Sequence, residues 1–154
     1  MPPTERCLDT LPPRFVSGLY ILEVKPDELL LRFQGLELVE RWGADRTNAD
    51  IVAHRSPAFQ KKVRALMTPI VSHPCGFHSH STYSTSRGRM MDAHYIALPL
   101  AVQMGRPPRA LAYTCENSVP KQGEGAWDQF NILAQGWIDL GAGVPSEEPV
   151  VLGG

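Results

Sequence analysis

Residues 73–80 carry the densest set of metal-ligating side chains in the chain, in the order His-Pro-Cys-Gly-Phe-His-Ser-His. If this segment is a β-strand, His78 and His80 project from the same face, about 7 Å apart at the backbone. Imidazoles at that spacing can share one zinc or similar ion. We therefore take His78, His80 and a cross-strand His94 as the candidate metal ligands.

Two further side chains could complete this set, His73 or Cys75. Neither a Cys-x-x-Cys nor a His-Glu-x-x-His pattern accompanies them. A polar strand facing solvent explains the same residues without a metal, and this simpler interpretation is the expected one.

Nucleophilic and phosphate chemistry find no support in the sequence. It contains no Gly-x-Ser-x-Gly elbow and no glycine-rich phosphate loop followed by lysine. The carboxylates form no recognisable acid–base pair. The sequence therefore predicts a protein that is not an enzyme.

The elements that would position these residues begin with a β-hairpin. Residues 18–24 are rich in strand formers and end at the turn signal Lys-Pro-Asp of residues 25–27. From residue 28 the chain alternates again, with Leu29, Leu31 and Phe33 on one face. Two strands joined by so short a turn predict a hairpin.

Two helices are predicted next. Residues 36–42 form a short apolar-rich segment closed by Gly43, which suits a brief helix with a glycine C-cap. Ser56 and Pro57 are a helix start, and an apolar stripe follows at helical spacing. Pro69 is expected to end or kink this helix near residues 67–68.

Three more strands are predicted at residues 77–84, 90–100 and 109–115, separated by turn and loop signals. The C-terminal region differs, because its large apolar residues recur at roughly helical spacing. We predict a helical tail there that packs on its own domain or across a dimer. The candidate interface residues are Trp127, Phe130, Leu133 and Trp137.

Composition limits the partners. The formal net charge is −1, from 15 basic and 16 acidic residues, and the basic residues are scattered, so no nucleic-acid partner is expected. No apolar run is long enough for a signal peptide or a membrane span, so no membrane association is expected. The three cysteines match no disulfide framework, which favours a reducing compartment, and we expect a cytoplasmic protein.

The order β-β-helices-β-β-β resembles that of PAS domains, and four short stretches are similar to a bacterial subgroup of short, stand-alone PAS proteins. They are residues 21–24, the Leu-Arg-Phe-Gln-Gly of 31–35, the helix, glycine and Asp-x-Thr turn of 38–48, and the Leu-Pro-Leu of 98–100. The resemblance spans roughly residues 15–116. Asn48 stands where the subgroup tends to have glycine, and an apolar segment follows Leu-Pro-Leu instead of an acidic turn.

The resemblance implies an α+β fold, a five-stranded antiparallel sheet with helices inserted between strands 2 and 3, here followed by the C-terminal helical tail. The expected organisation is an irregular segment at 1–13, a PAS-like domain at 14–117, and a linker with the aromatic tail at 118–154. It also implies a pocket between the sheet and the helices, although a filled core is the expected alternative. The candidate lining residues are Phe33, Leu38, Trp42, Phe59, Val63, Met67, Tyr95 and Tyr113.

No cofactor is expected. Some PAS sensors hold haem through a helix histidine, but His54 and His73 both lie off the apolar stripe. The light-sensing flavin route needs a reactive cysteine that residues 43–48 lack.

The resemblance implies a non-enzymatic sensory or protein-interaction domain in bacterial signalling. Such a domain is expected to form a homodimer, to act through a signalling partner, and to be able to hold a small ligand in its core. Two alternatives stay open: a small metal-dependent enzyme or metal-binding protein using the 73–80 cluster, and a small-molecule carrier.

Overall fold

One antiparallel sheet of six strands organises the chain in this computed structural model, which describes residues 8–85, 88–116 and 130–152. The strands lie side by side in the order β2-β1-β5-β4-β3-β6, and every neighbouring pair is antiparallel. Their bounds are β1 Leu19–Val24, β2 Leu29–Gln34, β3 Gly76–Ser84, β4 Met90–Pro99, β5 Arg109–Glu116 and β6 Phe130–Ile138.

The described residues form three helices beside the sheet: α1 Pro13–Val16, α2 Leu36–Trp42 and α3 Pro57–Ser72. The predicted caps are present, since the Ser56 hydroxyl accepts the Phe59 amide at 3.3 Å and Gly43 takes the left-handed conformation after α2. Both α2 and α3 lie between β2 and β3 in the chain.

The end of α3 departs from the prediction. The helix runs through Pro69 to Ser72. Proline has no N–H, so one backbone hydrogen bond of the helix is missing at Pro69. Pro69 lies only three residues before the end of the helix, however, and its carbonyl still accepts a hydrogen bond from the His73 amide at 2.9 Å. Burial of Ile70 against the sheet also favours this last turn.

Two predictions about the sheet and the tail were wrong: the sheet has six strands and not five, and the region predicted as a helical tail supplies the sixth. β6 pairs with β3 from Gly76↔Ile138 to Tyr83↔Phe130. The register shifts between His80 and Ser81, so an extra residue interrupts the two-residue alternation of this strand. Because of this extra residue, the apolar residues Phe130, Leu133 and Trp137 are three and four positions apart, which is the spacing of one face of a helix.

The sheet has two different faces. On the inner face α3 crosses β1, β4 and β5, and the main core lies between them. Residues 145–152, the C-terminal strap, run beside β6. The Gln135 amide donates to the Pro149 carbonyl at 2.7 Å, the Trp137 indole donates to the Glu147 carbonyl at 2.8 Å, and Leu152 packs on the core.

The outer face is covered on one side by the N-terminal residues. Leu8 packs in a small cluster with Ile21, and Phe15 lies edge-on to Tyr113 with ring centroids 5.9 Å apart. None of the described helices is long and apolar enough to cross a membrane.

Candidate functional site

The outer face of β3 and β4 brings three potential metal ligands together. His80 and His94 stand directly opposite each other in the antiparallel register. Their rings stack, with centroids 4.2 Å apart and planes 13° from parallel. Asp92 lies two residues from His94 on the same face, and its carboxylate is 2.5 Å from Nε2 of His80. One ligand atom from each lies within 4.8 Å of the others, and we name His80, Asp92 and His94 the histidine cluster.

His78 lies outside this cluster, although the sequence placed it among the metal ligands. It shares the outer face with His80, but its register partners are Ile96 and Gly136. Its ring lies over Gly136, with Nε2 only 3.0 Å from the position that a Cβ at this glycine would occupy. The missing side chain in β6 therefore lets His78 lean toward the sheet edge and away from His80.

The sequence pattern did not single out Asp92 as a metal ligand, although its spacing from His94 indicates that the two residues share a face. Asp92 and His94 occupy positions i and i+2 of β4, the same spacing that made His78 and His80 a candidate pair. Predicting the register of the two strands would have been needed to see that Asp92 and His80 approach each other diagonally.

The other sequence candidates for ligands lie elsewhere. Cys75 is fully buried, its thiol is 3.7 Å from the Pro69 carbonyl, and burial raises its pKa. His54 lies in the loop between α2 and α3, where desolvation and the charges of Arg55 and Arg46 lower its pKa. Neither belongs to the histidine cluster.

Most of the candidate pocket residues pack as core. Leu38, Val63 and Met67 are buried, and partly buried aromatic rings surround them. Six of the eight candidates belong to the main core: Leu38, Trp42, Phe59, Val63, Met67 and Tyr95. The other two lie on the outer face, Phe33 beside Ile21 and Tyr113 beside Phe15.

Contacts between aromatic rings fill the space where the pocket was expected. Tyr95 lies 5.9 Å from Phe77 and 6.4 Å from Tyr20, measured between ring centroids, and Tyr20 lies 5.7 Å from Trp42. Burial raises the pKa of Tyr20 to about 12, so this hydroxyl stays neutral. The described residues also form a shallow depression at the surface, in the loop between β4 and β5, lined by Ala101, Gln103, Arg106, Pro107 and Arg109.

The predicted interface residues have different surroundings. Trp137 is half-buried on the inner face, with its ring centroid 5.8 Å from that of Phe77. Leu133 is 52% exposed, at the irregularity of β6. Phe130 begins β6 and pairs with Tyr83, whereas Trp127 lies outside the described residues.

A buried carboxylate ties three strands together. Glu23 of β1 is 2% exposed and accepts hydrogen bonds from Arg32 of β2 and Arg109 of β5, the shortest being 2.8 Å and 3.0 Å. Hydrogen bonding to Arg32 is the main cause that lowers the pKa of Glu23, against desolvation. Arg32 also donates to the side chain of Asn48 at 2.8 Å, which ties the turn after α2 to the sheet.

A second buried carboxylate lies at the other end of β5. Glu116 is buried 3.4 Å from the Arg41 guanidinium, which also binds Glu37 at 2.6 Å. Burial raises the pKa of Glu116, and Arg41 and Tyr83 lower it only in part. Arg41 thereby anchors α2 to the sheet.

Neither a protein-family profile nor a curated protein sequence matches this chain. Among solved structures, a variant of RsLOV has 12% identity and a TM-score of 0.48, with 72% of this chain and 66% of that chain covered. The LOV domain of the blue-light photoreceptor Aureochrome1 in its light state has 10% identity and a TM-score of 0.45, with 69% and 85% covered. A light-oxygen-voltage domain studied with a flavin analogue has 14% identity and a TM-score of 0.42, with 66% and 78% covered.

The fold follows from the strand order of the chain itself. Its first five strands form one antiparallel sheet, in the chain order that the resemblance to PAS domains implies. This protein therefore has an α+β, PAS-like fold with an added sixth strand.

Proposed function

We propose that this chain is a non-enzymatic, PAS-like sensory or protein-interaction domain of a signalling system, and that it pairs with a second copy through its outer sheet face. The observation that carries the proposal is a partly exposed, uncharged apolar strip on that face. The strip consists of Ile96, Leu98, Leu111 and Tyr113, and we call it the outer strip.

The outer strip is built by direct cross-strand pairs in the middle of the sheet. Ile96 pairs with Tyr113, and Leu98 pairs with Leu111. The N-terminal residues cover part of Tyr113 and Leu111, and each of the four side chains is only partly buried by the described residues. A continuous apolar surface on a sheet is stabilised when another surface removes it from water.

A second copy is the occupant that the charges favour. The strip itself contains no ionisable carboxylate or basic side chain, and Arg109 at its margin is already paired with Glu23. In a two-fold dimer the same patch meets itself, so a patch of one charge sign would repel its copy, whereas an uncharged patch does not.

Packing in the core also favours interaction through the surface. Leu38, Met67 and Phe77 are at most 2% exposed between the sheet and the helices. A ligand would have to displace such side chains, at a cost in lost core packing. Native mass spectrometry of the purified protein tests this alternative, because a retained core ligand adds a fixed mass to the chain.

Sedimentation equilibrium tests the pairing. We expect a mass of about twice 17.0 kDa for the wild type and a monomer for Ile96→Asp, because two carboxylates would meet across the two-fold axis. The matched control is Val102→Asp, at a 67% exposed position in the loop beyond β4, and it should remain dimeric.

Circular dichroism of both variants establishes that they are folded before their masses are compared. A wild type that sediments as a monomer at every concentration would overturn the proposed pairing. An Ile96→Asp variant that is folded and still dimeric would place the interface elsewhere on the molecule.

A further inference from the structure

We propose that His80, Asp92 and His94 form a site for a divalent transition-metal ion of the zinc class on the outer face of the sheet. The site offers two imidazole nitrogens and one carboxylate oxygen, which are ligand types that zinc accepts. It differs from the set indicated by the sequence, because Asp92 takes the place of His78.

The backbone of β3 and β4 already brings the three ligand-bearing residues next to one another. β3 and β4 pair along eight consecutive register positions, with His80 opposite His94 near the middle. Rigid strands hold a ligand set more precisely than loops do. The remaining adjustment is confined to side chains.

That adjustment is small. Ligand atoms bound to a tetrahedral zinc at about 2.0–2.1 Å lie about 3.3 Å from one another. In the histidine cluster the distance of 2.5 Å between His80 and Asp92 must lengthen by less than 1 Å. The ligand atom of His94, which lies within 4.8 Å of the other two, must move closer to them. The two stacked rings must turn until their nitrogen lone pairs converge on one point.

The surroundings leave room for the ion. His94 is exposed, and the register partner of His80 in β6 is Ala134, which has a small side chain. Three protein ligands leave at least one coordination position for water or for a donor from a bound molecule.

Isothermal titration of the full chain with zinc chloride, in a buffer that does not chelate metal, tests the site. We expect one equivalent of Zn²⁺ to bind the wild type. His80→Ala, Asp92→Asn and His94→Ala should each weaken binding at least tenfold, because each removes one of three ligands. His78→Ala is the matched control, since it removes a histidine from the same face and should keep the wild-type affinity.

Cobalt provides a second, spectroscopic measurement of metal binding that does not depend on the heat of binding. Co²⁺ bound by the wild type and by His78→Ala should show the same visible absorption band, and this band should be lost in His80→Ala. Thermal melting without metal establishes that each variant is folded.

Three outcomes would overturn the site. They are no saturable zinc binding by the wild type, an equal loss of affinity in His78→Ala and His80→Ala, and wild-type affinity in folded Asp92→Asn. In the first case the cluster is a hydrogen-bonded group on a polar strand. The site lies on the same face as the proposed pairing surface, with His94 two residues from Ile96, but the two proposals have separate readouts. Sedimentation of Ile96→Asp tests the pairing without any metal.

Discussion

Glu23 is a buried carboxylate whose charge is shared by two arginine side chains. Its carboxylate is buried, and it receives donors from two strands that do not neighbour each other, β2 and β5. Replacing Glu23 by glutamine would keep the shape and leave both guanidinium groups facing a neutral amide. We expect Glu23→Gln to lower the free energy of unfolding by about 2–3 kcal/mol, since both arginines remain partly hydrated. Urea unfolding at neutral pH measures this change.

The pH dependence of the same variant gives a second measurement. Because the pKa of Glu23 is lowered in the folded state, its contribution to stability is present above the pKa of the unfolded chain and is lost as the pH falls through the folded-state value. The wild type should therefore lose more stability on acidification than Glu23→Gln does. Glu28→Gln is the control, because this half-exposed carboxylate forms a surface ion pair with Lys25 at 3.2 Å and should change stability by less than about 0.5 kcal/mol. Parallel acid profiles for the wild type and Glu23→Gln would contradict the assignment.

At the same scale, the sequence could predict which histidines share a face but not which of them meet. The two-residue alternation places His78 and His80 together. Their separation arises from Gly136, a residue of a strand that the sequence pattern did not indicate. The proximity of Asp92 likewise depends on the register between β3 and β4, which no local pattern fixes.

Among the elements, the connection from β2 to α2 depends on a glycine for reasons of space. A Cβ at Gly35 would lie 2.3 Å from the Ser17 carbonyl oxygen and 2.4 Å from that of Val16. These are backbone atoms, so relief requires the chain before β1 to move. We expect Gly35→Ala to cost about 3 kcal/mol or more, at the upper end of the range for overpacking.

Gly43, at the other end of α2, is the matched control for this substitution. It has a positive φ of 72°, but no atom of the described residues lies within 4 Å of its Cβ position, so Gly43→Ala should cost about 1 kcal/mol of conformational strain. Thermal and urea unfolding of the two variants measure the difference. Equal costs would show that the chain before β1 yields easily at Gly35.

β6 was predicted as a helix and is a strand in the structure. Substitutions of Trp137 test whether this strand packs on the inner face. Trp137→Phe keeps an aromatic ring on Phe77 but loses the donor to the Glu147 carbonyl, so we expect a cost of about 1 kcal/mol. Trp137→Ala also loses the ring contact and should cost about 2–3 kcal/mol, less than for a fully buried tryptophan. Urea unfolding measures both.

Leu140→Ala is the control for the tryptophan series, because Leu140 is 48% exposed just beyond β6 and should have little effect. A tryptophan series with no effect would mean that β6 and the C-terminal strap do not pack on the inner face.

Over the whole molecule, local signals were sufficient for the first five strands. The hairpin turn, the Ser-Pro helix start and the glycine C-cap each act within a few residues, and the structure has all of them. β6 could not be predicted in this way, because its pairing partner and its irregular register belong to the assembled sheet. The polar contacts of Glu23 and Glu116 were likewise invisible, since their partners are distant in sequence.

The position of β6 also has a consequence for the order of folding. The β3–β4 pair closes a short loop, whereas Phe77 and Trp137 are about 60 residues apart when they pair. Closing a longer loop costs more chain entropy before any contact forms, and such pairings slow the approach to the native state. We expect the central hairpins to assemble first and the sixth strand to dock last. Until it docks, the free edge of β3 can pair with another chain, so the slowest step of folding is also the one most exposed to aggregation.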